Sequence, residues 1–460
     1  MRPVAVLNIV GLSPSLIGDA TPRLRAFAKD AGGVRLLRPP LPAVTCTAQS
    51  SMLTGLDVSG HGVVANGWFN RELQEVQFWK QSNQLVHGEK VWDAARRLDA
   101  SFTCANLFWW FNMYSSADVS VTPRPMYRSD GRKIPDCYAH PASLRDELQR
   151  ELGPFPLFHF WGPGADIRST DWIAAATMRT YERMKPTLTL TYLPHLDYPL
   201  QKLGPAHPDM RRHLREIDRV FASLHDFFRE RDVRVIVVSE YGIVPVHGAI
   251  EPNRVLRSAS LLAVREERGG ELLDAGASEA FAVCDHQLAH VYVRQPGRVS
   301  EVAAICAAIP GVTRVLDRTA QRELGIEHAR GGELVLESAS DRWFAYPYWT
   351  QGREPDFARC VDIHRKPGYD PCELFIDPAM PLPKLQIAWR LFKRSLGFRT
   401  LLDVIPLDPS LVQGSHGRVE QPRGFEPVIF GEGLDAFDPP HSHLLPMASV
   451  RDAMLTALRS

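Results

Sequence analysis

The residues best suited to chemistry lie in a short stretch that opens with prolines and closes with Thr-Gly. Residues 39–55 read PPLPAVTCTAQSSMLTG, which predicts a loop that delivers a side chain to the first turn of a helix ending at Gly55. The free amides and the dipole of a helix start attract phosphate. Thr45 lies on that turn, and its hydroxyl can attack phosphorus if its pKa is lowered. Thr45 is therefore the candidate nucleophile.

Further motifs follow this stretch in a fixed order. A His-Gly-x-x-x-Asn pattern occupies 61–66, and the patches 192–205, 235–243 and 414–417 come later. With the threonine motif, these patches resemble the nucleotide pyrophosphatase/phosphodiesterase branch of the alkaline phosphatase superfamily. The resemblance implies an α/β fold: an alkaline-phosphatase-like, doubly wound, mainly parallel sheet flanked by helices, with inserted cap or lid segments. It also implies that Thr45 is the nucleophile and that two divalent metal ions, zinc in the family, assist it.

The resemblance also implies which residues ligate the two metals, although several positions differ from the family. Val10 occupies the place of the family's first aspartate, so Asn8, two residues earlier on the same side of the strand, is the nearest polar candidate. Asn8 could instead only cap or bond neighbouring backbone. Asp197 and Gln201 are predicted for one metal and Glu240 and Tyr241 for the second, with Asn8, Thr45 and His416 completing the set.

The departures from the family ligands share one direction. Gln201 and Tyr241 replace histidines and Glu240 replaces an aspartate, so six of the seven candidates offer oxygen and only His416 offers nitrogen. Oxygen-rich sets suit magnesium, manganese or calcium, whereas the family set suits zinc. Tyrosine is a poor ligand unless it is ionised, which needs a strongly lowered pKa. A retuned metal site therefore competes with a site that has lost its metal.

Several residues near these motifs are candidates for holding a phosphorylated substrate. The family places an asparagine three residues after the nucleophile to hold a phosphate oxygen; here that position is Ala48, and Gln49 is the substitute. The run 107–114 is rich in aromatic residues and could either wall a pocket or belong to the core, and the basic residues of 124–133 could hold an anion. The predicted substrate contacts are Gln49, Asn66, Trp110, Asn112, Arg124, His364 and Lys366.

Two segments stand outside the family pattern. Residues 362–371 are dense in polar, turn-forming residues, and they could form a lid that returns His364 and Lys366 to the site or a plain surface loop. His286 and His290 share one face if their segment is helical and could then ligate one metal together. The Val-Tyr-Val that follows them favours an extended chain instead.

Length and patterning indicate one enlarged domain over 1–460, with insertions or cap segments at 105–170 and 325–410. The apolar run 4–10 predicts a buried parallel strand, Thr21-Pro22 predicts a helix start, and 34–37 predicts a second strand. This alternation is typical of a doubly wound sheet.

Formal charge and cysteine usage bear on partners and location. The net charge of zero argues against a nucleic-acid polymer or a membrane surface as the partner. Seven cysteines without paired spacing favour a reducing compartment. Because no stretch suits a secretory leader or a membrane span, we expect a cytoplasmic location. The oligomeric state stays open.

Together these features predict a metal-dependent phosphoester hydrolase, of the phosphodiesterase or nucleotide pyrophosphatase kind, that acts through Thr45 on a small phosphorylated molecule. A phosphonate hydrolase or phosphomutase of the same superfamily would share Thr45 and the metals and differ in the substrate clamp. A catalytically altered protein that only binds a metal or ligand would explain the substituted ligands.

Overall fold

The computed structural model describes residues 1–129, 132–437 and 443–460 and has an α/β architecture with one large sheet. Its strands are β1 (Val4–Ile9), β2 (Arg35–Arg38), β3 (Gly67–Asn70), β4 (Glu75–Phe78), β5 (Cys104–Leu107), β6 (Val119–Pro123), β7 (Met126–Tyr127), β8 (Lys133–Ile134), β9 (Cys137–His140), β10 (Leu188–Leu193), β11 (Arg234–Val238), β12 (Val244–Pro245), β13 (Ala249–Ile250), β14 (Val264–Glu267), β15 (Gly270–Leu273), β16 (Ala280–Asp285), β17 (Leu288–Val293), β18 (Val312–Leu316), β19 (Leu334–Ser338), β20 (Trp343–Phe344), β21 (Gly414–Ser415), β22 (Val428–Gly431) and β23 (Leu445–Pro446).

Helices flank this sheet and connect its strands. They are α1 (Pro22–Asp30), α2 (Thr45–Thr54), α3 (Val58–His61), α4 (Val91–Leu98), α5 (Ala142–Leu152), α6 (Ile167–Met184), α7 (Asp197–Leu203), α8 (Met210–Arg229), α9 (Pro252–Ser258), α10 (Val299–Ala307), α11 (Arg318–Glu323), α12 (Pro383–Ser395) and α13 (Val450–Arg459). In the described ranges, no helix is both long and apolar enough to cross a bilayer.

The main sheet has nine strands in the order β23-β2-β22-β11-β1-β10-β5-β6-β9. Its centre is β1, which pairs in parallel with both β10 and β11 and is buried along its whole length. This burial on both faces explains the continuous apolar run, and the predicted strand is confirmed. The carboxyl ends of β1, β10 and β11 meet at one edge, where ligands of open α/β sheets bind.

The flanking elements follow their local sequence signals. Helix α1 begins at Pro22 directly after Thr21, as predicted from proline at the first helical position. The stripe of α8 that includes Ile217, Phe221 and Leu224 is buried in the same core as the sheet. The α/β class and the largely parallel, doubly wound sheet are confirmed.

A second, antiparallel sheet has the order β16-β17-β19-β18 and its own apolar core. The segment with His286 and His290 lies in its first hairpin, in which β16 and β17 pair from Ala280↔Val293 to Asp285↔Leu288. The extended alternative is therefore correct and the helical one is wrong. Alternating β-branched and aromatic residues decide this, because they pack well on a pleated surface.

The two predicted insertions differ from each other in the structure. In the predicted insertion or cap segment 105–170, β6 and β9 follow β5 and extend the main sheet at one edge. Residues 325–410 hold β19 of the second sheet, a long irregular stretch and α12. The short edge strands carry mixed residues, which is why no continuous apolar run marked them in the sequence.

Candidate active site

Thr45 is the first residue of α2 and is buried. The helix ends at Gly55, whose left-handed backbone (φ 71°) confirms the predicted helix stop. The amide of Cys46 donates to Asn66 Oδ1 at 3.0 Å, so one of the free amides of the helix start already has a protein partner. Asn66 in turn donates from its backbone and side chain to Asp285 at 2.8 and 3.1 Å. The predicted substrate contact by Asn66 is therefore replaced by a structural one, because its polar atoms hold α2 against the second sheet.

We call Asn8, Thr45 and Glu240 the threonine half-site. Asn8 Nδ2 and Gln49 Nε2 both donate to Glu240 Oε1 at 2.6 Å. Gln49 Oε1 accepts the amide proton of Trp110 at 2.7 Å. The predicted phosphate clamp by Gln49 is therefore not available in this arrangement, because both ends of its amide are occupied. Asn8 reaches the site residue Glu240, so the backbone-capping alternative does not describe its side chain.

Two buried oxygens of the threonine half-site remain without a partner. Within the described part of the chain, Asn8 Oδ1 and Glu240 Oε2 make no hydrogen bond. Burial raises the pKa of Glu240 to about 8, although hydrogen bonds from Gln49 and Asn8 oppose the rise. Buried oxygens that nothing satisfies are costly, so this corner of the site suits a group that accepts electron pairs.

We call Asp197, Gln201 and His416 the aspartate half-site. Gln201 lies one turn after Asp197 on α7 and donates to Asp197 Oδ2 at 2.8 Å. The Tyr241 hydroxyl donates to Asp197 Oδ1 at 3.2 Å, and the Tyr369 hydroxyl donates to Gln201 Oε1 at 2.9 Å. Burial raises the pKa of Asp197 to about 7. In contrast to the threonine half-site, both carboxylate oxygens here have partners from the chain.

Tyr241 joins the two half-sites. Its hydroxyl oxygen lies 3.0 Å from Thr45 Oγ1, and because the tyrosine proton points to Asp197, the threonine hydroxyl can donate to the tyrosine oxygen. Burial raises the pKa of Tyr241 well above its ordinary value. The phenol therefore keeps its proton and is a poor metal ligand. The ligand role predicted for Tyr241 is not supported by this geometry.

His416 follows β21 in the Gly-Ser-His-Gly motif. A Cβ on Gly414 would lie 2.2 Å from the Leu200 carbonyl oxygen, so glycine is what lets this segment approach α7. His416 Nδ1 lies 2.7 Å from the Ala43 carbonyl oxygen and must carry a proton to donate to it. Burial lowers the pKa of His416 well below its ordinary value. Nε2 then carries a lone pair, 3.8 Å from Asp197 Oδ1.

A column of four rings continues from this histidine. Tyr241, His416, His286 and Tyr369 lie in succession with ring centroids 3.5, 3.7 and 3.7 Å apart. His286 Nδ1 lies 2.7 Å from Asp285 Oδ1. Sequence reasoning did not join His286 and Tyr369 to the site, although the acid and histidines of 285–290 were the signal that pointed to this hairpin.

His290 belongs to a different environment from His286. Its Nε2 lies 3.1 Å from the Val64 carbonyl oxygen, and its Nδ1 accepts the Gly332 amide proton at 3.2 Å. Both ring nitrogens are occupied, so the metal shared by His286 and His290, one of the sequence-based alternatives, is wrong. His286 lies in the turn between β16 and β17, whereas His290 lies within β17, and only a helix would have placed the two side chains on one face.

A small cleft with aromatic walls, which we call the aromatic mouth, adjoins the aspartate half-site. Trp79, Trp161 and Tyr369 line a cleft of only about 10 Å³, and the ring centre of Trp110 lies 4.9 Å from that of Trp79. Trp110 therefore lies beside the cleft, in the region where a pocket wall was predicted. Flat apolar rings at the opening suit the non-reacting part of a substrate.

Lys366 was predicted to reach the phosphate, but it is bound elsewhere. It is fully buried, and its Nζ contacts Asp370 Oδ2 at 2.7 Å and Glu373 Oε1 at 2.8 Å. The indole of Trp161 donates to Glu373 Oε2 at 2.5 Å. The charge of Lys366 is thus neutralised by two carboxylates, and its role here is to hold the 366–373 turn under the aromatic mouth.

Two other predicted substrate contacts also make structural bonds, and a third lies on the surface. Asn112 Nδ2 donates to the carbonyl oxygens of Asn106 and Val121 and so ties β5 to β6. His364 Nδ1 lies 3.3 Å from the Phe78 carbonyl oxygen. Arg124 is exposed beyond the end of β6. The sequence shows which polar side chains are present, but it does not show which backbone groups they will hydrogen-bond.

One group of histidine and acidic side chains converges to metal-binding distance in the ranges described, and it lies outside both half-sites. His195 Nε2, His213 Nδ1 and Glu216 Oε2 are 3.0 to 3.2 Å apart. The Arg212 guanidinium, however, lies 2.9 Å from His213 Nε2 and 3.1 Å from Glu216 Oε1. An arginine already neutralises the carboxylate, so this cluster ties the loop before Asp197 to α8.

Comparison with known proteins agrees with this geometry. Residues 4–370 match the family described as type I phosphodiesterase / nucleotide pyrophosphatase. An uncharacterized pyrophosphatase/phosphodiesterase of Schizosaccharomyces pombe is 24% identical over 248 residues, which cover 53% of this chain and 45% of that protein. The chain thus matches about half the length of this curated relative.

Solved structures share the fold. Phosphonoacetate hydrolase from Sinorhizobium meliloti in complex with phosphonoacetate has a TM-score of 0.63 at 16% identity, covering 99% of this chain and 96% of that one. Murine ectonucleotide pyrophosphatase/phosphodiesterase 5 has a TM-score of 0.58 at 13% identity, covering 100% and 95%. With the family match across most of its length, the chain belongs to the type I phosphodiesterase / nucleotide pyrophosphatase family.

Proposed function

We propose that this protein hydrolyses a small phosphate ester, of the phosphodiester or pyrophosphate kind, with Thr45 as the nucleophile. The observation that supports this most directly is the position of the Thr45 hydroxyl. It lies at the start of α2, contacts Tyr241 at 3.0 Å, and is close enough to Glu240 to lower the pKa of that carboxyl through a hydrogen bond. A buried hydroxyl is equipped for nucleophilic attack when a proton acceptor lies on one side of it and a site for a cation lies on the other.

The threonine half-site fits one divalent cation. Asn8 Oδ1, Glu240 Oε2 and the Thr45 hydroxyl form an all-oxygen donor set, which suits magnesium, manganese or calcium. The aspartate half-site fits a second cation poorly, because Gln201 and Tyr241 donate to both oxygens of Asp197. When bound, a divalent cation lowers the pKa of a contacting hydroxyl and neutralises phosphoryl charge. We therefore propose one cation where the sequence predicted two.

Proton transfer from the nucleophile has a path within the chain. As the Thr45 oxygen bonds to phosphorus and the ester oxygen leaves, the Thr45 proton passes to the Tyr241 oxygen, and the tyrosine proton passes to Asp197 Oδ1. A base whose pKa lies near 7 is well matched to this task at neutral pH. Water then attacks phosphorus and gives a proton to the lone pair of His416 Nε2 as the bond between phosphorus and Thr45 breaks. The Thr45 oxygen takes its proton back from Tyr241, and Tyr241 regains its own from Asp197.

The test is a turnover assay on p-nitrophenyl phosphate, bis(p-nitrophenyl) phosphate and a nucleotide p-nitrophenyl ester. Each is run after chelation and with magnesium, manganese, calcium or zinc. We expect cation-dependent release of p-nitrophenol, with an acid-stable phosphoryl adduct on Thr45 detectable by mass spectrometry. Folded protein that releases none in any condition would contradict the proposal.

Phosphonoacetate serves as a separate arm of this assay, since a phosphonate hydrolase is the alternative within the superfamily. Phosphate release from phosphonoacetate without ester cleavage would favour that alternative. Binding of the cation without turnover of any substrate would favour the altered binding protein. A cytoplasmic location and a single domain over 1–460 stay predictions.

A further inference from the structure

Residues 382–401, which we call the basic amphipathic segment, expose an unusual amount of apolar surface. Eighteen large apolar side chains are exposed among the described residues, and eight of them lie in this one stretch. Isolated exposed apolar residues are common, but a concentration of this kind marks a binding surface. The eight are Leu382, Leu385, Trp389, Leu391, Phe392, Leu396, Phe398 and Leu401.

The apolar stripe of this segment points away from the protein. Leu385, Trp389, Phe392 and Leu396 recur at helical spacing, three of them within α12, and Leu385 and Trp389 are 65% and 56% exposed. The opposite side of α12 is the one that attaches to the body: Ile387 packs on a small apolar cluster, and Arg390 donates to Asp403. A surface helix that served only the fold would show the reverse orientation.

The same segment carries a strong positive charge. It contains five lysines and arginines and no acidic residue, although the whole chain has a net charge of zero. Lys393 Nζ lies 5.8 Å from the ring centre of Trp389, so a cation accompanies the exposed indole. Long basic side chains can keep their charge in a polar layer while their stems cover apolar surface. The cations are Lys384, Arg390, Lys393, Arg394 and Arg399.

We propose that the basic amphipathic segment docks the protein on an anionic lipid bilayer, lying in the plane of the interface. Its Trp, Phe and Leu side chains would enter the boundary between headgroups and acyl chains, and its cations would contact lipid phosphates. The charge of the segment favours a bilayer over a second copy of the chain. Two copies of the segment placed face to face would repel each other, whereas an anionic surface complements the cations that remain besides Arg390, which is already paired with Asp403.

This proposal revises the expectation that the chain has no membrane partner. That expectation was based on the net charge of the whole chain. In the net charge, acidic residues elsewhere cancel the excess of positive charge in 382–401. The proposal is independent of the proposed function, since no residue of either half-site takes part.

The test is flotation of the full chain with vesicles of phosphatidylcholine, with and without phosphatidylglycerol. We expect binding only to vesicles that contain phosphatidylglycerol, and at least about tenfold weaker binding in roughly 0.5 M salt. The triple variant Leu385→Glu, Trp389→Glu, Phe392→Glu should lose binding about tenfold or more. Its matched control is Leu73→Glu, Tyr114→Glu, Phe158→Glu, three exposed apolar side chains elsewhere, which should bind as the parent does.

Three outcomes would overturn this proposal. These are equal binding to neutral vesicles at all salt concentrations, equal loss in the control variant, and no binding to either vesicle. A concentration-dependent dimer in sedimentation experiments that the segment variant abolishes, without vesicle binding by the parent, would assign the stripe to a second copy of the chain. Unchanged thermal unfolding of both variants checks that the substituted side chains do not support the fold.

Discussion

The threonine and aspartate half-sites receive the same kind of substitution and respond in opposite ways. In the first, the amides of Asn8 and Gln49 crowd onto a single oxygen of Glu240 and leave Oε2 without a partner. In the second, an amide and a phenol each take one oxygen of Asp197. An N–H or O–H group beside a carboxylate therefore does not always prevent that carboxylate from binding a cation. The direction in which each proton points decides whether the carboxylate stays open.

We propose that this difference gives the two half-sites separate tasks. The open oxygens of the threonine half-site suit a cation, and the closed aspartate half-site suits a proton acceptor because Tyr241 links Asp197 to Thr45. One sheet edge can thus support a cation on one side and acid–base chemistry on the other.

The largest effect is expected from Thr45→Ala. Loss of the attacking oxygen should reduce kcat by roughly a thousandfold or more while the protein stays folded, because the methyl-sized vacancy is small. Turnover of the best p-nitrophenyl ester and thermal unfolding are the two measurements. Thr47→Ala is the matched control, since it removes a buried threonine hydroxyl that has no partner two residues away. Similar losses in the two variants would remove Thr45 as the nucleophile.

The next largest effect is expected from Tyr241→Phe, which deletes only the oxygen that connects the half-sites. A lost proton path should lower kcat by about a hundredfold and leave KM little changed. It should also flatten the rise in rate with pH that Asp197 produces as it loses its proton near pH 7. Tyr346→Phe is the control, because its buried hydroxyl has no partner in the described structure. A pH profile identical to that of the parent would break the proposed link.

The elements that carry the site could be found from sequence because each rests on a local signal. The buried run of β1, the helix stop at Gly55 and each of the motifs need only neighbouring residues. The structure brings Thr45, Asp197, Glu240 and His416 to one edge of the sheet, and the roles assigned to them stay predictions.

Hydrogen-bond partners could not be found in the same way. Asn66 binds Asp285, 219 residues away, and Tyr369 binds Gln201, 168 residues away. Lys366 looked like a phosphate ligand, but two carboxylates within seven residues neutralise it. A polar residue in a motif predicts where its backbone lies. Which hydrogen bonds its side chain donates and accepts depends on partners that only the folded chain brings close.

A smaller effect distinguishes the half-sites by cation binding. Glu240→Gln should weaken manganese binding, measured by electron paramagnetic resonance, by about tenfold or more, because the open oxygen loses its charge. Asp197→Asn should leave binding within about twofold of the parent, since both of its oxygens already have partners. Binding of two ions per chain, one of them lost in Asp197→Asn, would show that the aspartate half-site opens for a metal.

The smallest effect concerns stability in the absence of cations. The folded pKa values of Glu240 and Asp197, about 8 and about 7, lie above the ordinary values near 4 that hold in the unfolded chain. The unfolded state therefore releases protons first, and the free energy of unfolding should fall as pH rises from about 4 to 8, by at most about 1.4 kcal/mol per unit for each carboxyl. Melting curves in chelator at pH 5.5 and 8 measure the loss.

The two variants again separate the half-sites in these melting curves. Glu240→Gln and Asp197→Asn should each flatten the decline, because a neutral amide has no proton to lose. Magnesium should restore stability at pH 8 in the parent and in Asp197→Asn, since it binds the folded state through the ionised Glu240, and it should not do so in Glu240→Gln. Rescue of Glu240→Gln alone would reverse the assignment, placing the cation at Asp197 and the proton acceptor at Glu240.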